Sequence, residues 1–142
     1  MGTRALTFVY DGERPIINLY RQYDGYPTGH GRELAEFLEG YTIVNGLGEK
    51  RVRIANGMGC LAAQMVAHFK TEAGQFYLHS PEQKECGQDY EYHVYRKDNE
   101  LRVAVTDRGC NMFGLTMSDK NDSIFDGPVA DFIRFCTEDE LA

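Results

Sequence analysis

The chain contains no tryptophan, only four prolines, no long uninterrupted apolar run, and fewer basic than acidic residues, 15 Lys and Arg against 22 Asp and Glu. Each shortage excludes something. Without about 18 consecutive apolar residues there is no candidate membrane-spanning helix. Arg4, Asp11, Glu13 and Arg14 interrupt the first twenty residues, so these do not read as a secretory leader, and the expected location is cytoplasmic. A formal charge of −7 argues against a general positive field for gripping a nucleic acid polymer. It leaves open a local basic pocket for a small anion, and Lys50, Arg51 and Arg53 form one basic group, with Arg96, Lys97, Arg102 and Arg108 later. The four cysteines, Cys60, Cys86, Cys110 and Cys136, lie about 25 residues apart, without the close pairing that zinc sites use. Reduced thiols, no metal and no cofactor are expected.

What is present is an ordinary globular composition rich in Tyr and Phe: 142 residues, 42% hydrophobic, nine Tyr and eight Phe. A chain of this length can bury roughly 68–70% of its unfolded surface in one core. No linker or low-complexity stretch divides it, so residues 1–142 are read as a single domain.

Periodicity supplies the elements. The β-branched and aromatic runs "RALTFVY" and "PIINLYRQY", separated by Asp11-Gly12, predict an N-terminal hairpin. Leu34, Phe37, Leu38 and Tyr41 fall at helical spacing, with Gly40 placed to stop that helix. After a brief strand in "VRIA", Leu61, Met65, Val66 and Phe69 share a second helical face, with Gly74 as its terminator. The pattern then changes to period two in "QFYLH", "YEYHVYRK", "LRVAVT" and "MFGLTM", and "KDNE" joins the clearest hairpin. Tyr90, Tyr92 and Val94 share one strand face and Glu91, His93 and Tyr95 the other, so both faces should be partly covered. Asp126 before Gly127-Pro128 predicts the start of a C-terminal helix with Val129, Phe132, Ile133 and Cys136 as its apolar stripe. The fold expected is α+β: a mostly antiparallel sheet with an N-terminal hairpin, two main helices and a C-terminal helix.

Glycine carries the functional signal. Of fifteen glycines, six form the pairs Gly29/Gly31, Gly46/Gly48 and Gly57/Gly59, and the first and last pairs open the two main helices. The first amides of a helix have no internal partner and its dipole favours negative charge there, so a turn without side chains can admit a phosphate. "GMGCLA" at 57–62 fits a dinucleotide-binding pattern, with Glu82 downstream, but the chain supplies hairpins where a doubly wound fold needs further strand-helix-strand units. Candidate ligand-binding residues are therefore grouped around the turns. Tyr23, Asp24 and Tyr26 offer stacking surfaces and a ribose-binding acid, and Thr28, His30 and Arg32 add donors. Arg53, Asn56, Gly57 and Gly59 form the second turn, and Arg108 with Asn111 adds a guanidinium beside a third. Close helix-sheet packing is the competing explanation for the glycines, and surface turns for the tyrosines. His68 and His93 read as structural.

A catalytic alternative uses Cys60, in the first turn after "GMG", as a nucleophile with His79 or His93 as base. That would make the protein a cysteine-dependent hydrolase or a nucleotide-degrading enzyme. Only the position of the cysteine marks it.

The opening "MGTRALTFVYDG", the segment "LYRQYDGYPTGHGRELAEFLEG" and the helix after "NGMG" resemble small phage-encoded proteins of the Thoeris anti-defence group. These sequester cyclic ADP-ribose isomers made by bacterial immune enzymes, and some relatives also take up cyclic oligonucleotides. The resemblance spans most of the chain without a diagnostic motif. It implies a binder rather than an enzyme, a homo-oligomeric sponge in the bacterial host cytosol that encloses its signal and releases it unaltered. Pyrophosphate, riboses and adenine call respectively for bare amides with arginine, for Asp or Asn, and for Tyr or Phe.

Overall fold

The computed structural model describes residues 2–46, 48, 53–109 and 121–138. Lys50, Arg51, Asn111, the "MFGLTM" segment and the acidic tail from 139 onward lie outside the described residues. Chain order is β1 (Ala5–Asp11), β2 (Arg14–Arg21), α1 (Arg32–Leu38), β3 (Thr42–Val44), β4 (Ile54–Asn56), α2 (Gly57–Phe69), β5 (Phe76–His79), β6 (Tyr90–Lys97), β7 (Glu100–Asp107), β8 (Asp122–Pro128) and α3 (Val129–Glu138). The main sheet has six strands in the order β5-β2-β1-β6-β7-β8, all antiparallel except β1 and β6, and β3 pairs with β4 as a separate parallel ribbon. This is the α+β architecture that the sequence predicts, with the N-terminal hairpin and the C-terminal helix in place.

Turn chemistry explains the hairpins. Gly12, at φ +66°, reverses the chain between β1 and β2, and Asp98 and Asn99, both left-handed, do so between β6 and β7. Strand alternation then sorts the side chains into two faces. Thr7, Val9, Leu19, Arg21, Tyr92, Val94, Val103 and Val105 point to the helical layer, where Leu34, Leu38, Leu61, Met65, Phe69 and Phe132 complete the core. Truncating one of these large residues to Ala costs about 2–5 kcal/mol in comparable cores. Phe8, Tyr10, Asn18, Glu91 and His93 point the other way. The connection 80–89 crosses that second face, held where Asn18 Nδ2 donates to the carbonyls of Ser80 and Gln83.

Three details depart from the sequence reading. Asp126 is not a helix start: residues 122–128 form edge strand β8, where the Asp126 carboxylate accepts from Tyr95 Oη, and α3 begins only after Pro128. Pro128 is tolerated in that strand because β8 lies at the sheet's edge, where a missing N–H need not interrupt a ladder on both sides. Helix α2 ends at Phe69 with Lys70 extended, so Gly74, at φ +85°, belongs to the turn before β5 rather than to the helix cap. The β3–β4 ribbon also goes beyond the single brief strand expected in "VRIA".

Candidate functional site

Helices α1 and α2 and the last residue of β2 enclose an open cleft of about 840 Å³. Its walls are aromatic, from Phe37, Tyr41, Phe69 and Phe76, and its polar groups include Arg21, Glu33, Arg53, Gln64, His68 and Gln75. The aromatic wall is one packed assembly: Phe37 lies 5.1 Å from Tyr41 and 4.9 Å from His68, and Phe69 lies 5.4 Å from Phe76, centroid to centroid.

Arg21 is the unusual member. Strand alternation after Ile17 and Leu19 turns its side chain inward, and only 6% of that side chain remains exposed. Nε donates to the Tyr23 carbonyl at 2.6 Å, Nη1 donates to Glu33 and to His30 Nδ1 at 3.3 Å, and the guanidinium carbon lies 5.0 Å above the Phe76 ring. An arginine does not deprotonate here, so Nδ1 of His30 must be the acceptor. Nε2 of His30 then carries the proton and donates to Thr7 Oγ1 at 2.7 Å. Burial, and secondarily the charge of Arg21, push the His30 pKa down to about 3, in keeping with a neutral ring. Among the described residues Nη2 of Arg21 has no hydrogen-bond partner, and Arg21 is one of the residues that line the cleft.

Arg53, on the cleft rim, is both wall and cap. Its Nη1 donates to the carbonyls of Glu36, Phe37 and Glu39 at 3.3, 2.8 and 3.0 Å. These are the orphan acceptors at the end of α1, where the dipole favours a cation.

The residues singled out in the sequence fall in three places. Tyr23, Asp24, Tyr26, Thr28 and His30 form the link from β2 to α1, including one π-helical turn at Pro27–Gly31, and Arg32 begins α1. The amides of that turn are taken by its own carbonyls: Gly29 and Gly31 donate to Tyr26, and His30 donates to Asp24. A Cβ on Gly29 would stand 2.5 Å from the Asp24 carbonyl oxygen, and one on Gly31 would stand 2.9 Å from Cys136 Sγ. These two glycines serve close packing. The second group, Asn56, Gly57 and Gly59, stays open: Gly57 has φ +84°, and a Cβ on either glycine would meet nothing within 4 Å. No side chain caps α2, because Asn56 Oδ1 accepts from the Gly46 amide instead. Arg53 joins this group in sequence and the cleft in space.

Arg108 lies on the opposite face of the sheet, donating to Glu91 and Glu85 at 2.5 Å each. There Glu91 also accepts from Gln88 at 2.7 Å and meets His93 Nε2 at 3.3 Å, while His93 Nδ1 contacts Tyr10 Oη at 2.7 Å. Burial would raise the Glu91 carboxyl, but hydrogen bonds from His93, Gln88 and Arg108 outweigh it and hold the pKa below the ordinary value. A second cavity of about 560 Å³ borders this network.

Sequence reasoning missed Arg21, Glu33, Phe37, Tyr41, Phe69 and Phe76 as cleft residues and read His68 as structural. One signal was available: in "PIINLYR" the period-two pattern puts a charge at an inward position after Ile17 and Leu19. Cys60 donates to Gln64 Oε1 at 3.4 Å in the helical layer. His79, in register with Asn18, and His93, stacked on Phe8, project from the other face of the sheet.

No protein-family model, curated protein or solved structure matches the chain. Among the described residues no helix is long and apolar enough to cross a membrane.

Proposed function

We propose that the protein is a sponge for a small anionic nucleotide signal of the cyclic ADP-ribose type, held in the cleft between α1 and α2 without being cleaved. The observation that carries this reading is Arg21, a guanidinium almost wholly buried against an aromatic ring that lines a cleft of about 840 Å³ and whose Nη2 has no hydrogen-bond partner among the described residues. Small-molecule sites commonly span about 300–1,000 Å³ with apolar walls and a few convergent polar groups. A phosphate would take the Arg21 donors, a base would lie against the Phe37, Tyr41 and Phe69 surfaces, and the carboxamide of Gln75 suits a ribose hydroxyl.

The open side of the cleft suits closure by a second copy of the chain, which would slow release at little ordering cost. With the resemblance to the Thoeris anti-defence group, this supports a phage protein acting in the bacterial cytosol to block immune signalling. The catalytic alternative finds less support, since Cys60 and the imidazoles of His79 and His93 stand on opposite sides of the sheet.

The test is to incubate the protein with a cyclic ADP-ribose isomer, measure depletion of free ligand, then heat-denature and assay the supernatant. Depletion followed by recovery of intact ligand is expected. A cleaved product would make the protein an enzyme, and no depletion would contradict both readings.

A further inference from the structure

The ion pair between Arg21 and Glu33 joins unequal partners. Arg21 is built in: its Nε is committed to the Tyr23 carbonyl, its Nη1 to His30, and its plane to Phe76. Glu33 reaches it from the first turn of α1 with a side chain 49% exposed, and among the described residues this is the carboxylate's one hydrogen bond. Holding a half-exposed glutamate in one rotamer costs conformational entropy. Leaving a buried guanidinium without a counter-charge would cost more than that ordering does. Glu33 therefore has a reason to be there when the cleft is empty and little to retain it when a better anion arrives.

Resting on the reading of the cleft as an anion site, we infer that Glu33 is an internal competitor: it occupies Arg21 in the empty protein and turns out to solvent when a ligand phosphate replaces it. The donor geometry supports the exchange. Departure of Glu33 frees one N–H on Nη1 beside the two on Nη2, and this edge of the fork matches two oxygens of one phosphate. His30 keeps the second Nη1 proton, and the Tyr23 carbonyl keeps Nε, so the guanidinium stays in place during the swap. Competition also sets selectivity. A monoanion gains no more from Arg21 than Glu33 already does and fails to displace it. A pyrophosphate, with more charge and a bidentate edge, succeeds.

Glu33→Gln keeps the shape and removes the charge, with Glu33→Ala as a second variant should the amide perturb folding. Glu39→Gln, whose side chain lies outside the cleft, controls for net charge. Calorimetric titration with inorganic pyrophosphate, acetate and a cyclic ADP-ribose isomer is expected to show both Glu33 variants binding pyrophosphate and the nucleotide about five- to tenfold more tightly than wild type. Acetate binding should appear in the variants alone, and Glu39→Gln should match wild type. Unchanged or weaker nucleotide binding by the Glu33 variants, with wild type still binding, would overturn the competitor and leave the anion cleft standing. Absence of binding in wild type and variants alike would remove both.

Discussion

Nδ1 of His30 accepts a hydrogen bond from Nη1 of Arg21 at 3.3 Å, deep beneath the sheet's helical face, and this contact fixes the tautomer of the ring. The other nitrogen then donates to Thr7 Oγ1, so a neutral histidine ties a β1 side chain to the cleft arginine. The His30 ring also packs edge-on against Tyr92, centroids 5.0 Å apart, and against Phe69 at 5.3 Å.

This arrangement makes stability depend on acid. With the folded pKa of His30 near 3 and an ordinary value of 6.5, the unfolded chain binds a proton between those limits that the folded chain does not. The stability present above pH 6.5 is lost progressively as pH falls toward 3, with a slope of up to about 1.4 kcal/mol per pH unit from this one group. His30→Asn should lower stability at pH 7 and flatten the denaturation midpoint between pH 6.5 and 5 relative to wild type. Parallel pH profiles for the two proteins would contradict the buried neutral histidine.

Arg21→Met should remove the phosphate donors while keeping most of the apolar bulk. A charged hydrogen-bond partner is worth about 1.5–3 kcal/mol, so nucleotide affinity should fall by about ten- to a hundredfold. Calorimetry checks this, with circular dichroism confirming the fold, because Glu33 is then free to hydrate. An affinity within twofold of wild type would move the ligand out of the cleft.

Glycine substitutions separate packing from access. Gly31 has ordinary helical torsions, φ −57° and ψ −45°, so its lack of a side chain answers to Cys136 Sγ at 2.9 Å and the Tyr92 ring at 3.3 Å rather than to the backbone. Gly31→Ala should cost about 1–3 kcal/mol in urea denaturation. Gly59→Ala, in α2 with open space around it, should be neutral or stabilise by up to about 0.5–1 kcal/mol. If the nucleotide sits in the cleft, Gly59→Ala also leaves affinity unchanged; a loss of affinity would relocate the ligand to the start of α2.

On the second face, Arg108→Met strips Glu91 of its cation while leaving it buried. Breaking such a pair costs about 3–5 kcal/mol. The melting temperature should drop accordingly at pH 7, and the Arg108→Met, Glu91→Gln double variant should recover part of the loss. No recovery would mean that the two residues do not act as a pair.

The fold was largely legible in the sequence because its signals are local: Asp11-Gly12 and Asp98-Asn99 specify reversals, and the spacing of Leu61, Met65 and Phe69 specifies a buried helical stripe. The parallel pairing of β1 with β6 was not, since it joins residues 85 positions apart, Ala5 with Tyr90, and no short-range pattern encodes it. Strand β8 was hidden by Gly127-Pro128, which reads locally as a helix start. The cleft was harder still. Gly29 and Gly31 look like an anion-binding turn in one dimension, yet only the packing of Cys136 and Tyr92 against them gives their reason. Arg21 and Glu33 become neighbours through the path of the turn between them, whereas Arg108, a candidate alongside the glycine turns in the sequence, ends on the opposite face of the sheet.

The most direct test of the central claim is a crystal structure of the protein with a cyclic ADP-ribose isomer bound. The account predicts a phosphate oxygen within hydrogen-bonding distance of Arg21 Nη2 and the Glu33 carboxylate turned away from Nη1. Ligand density at the start of α2 or beside Arg108, with the Arg21–Glu33 pair intact, would contradict it.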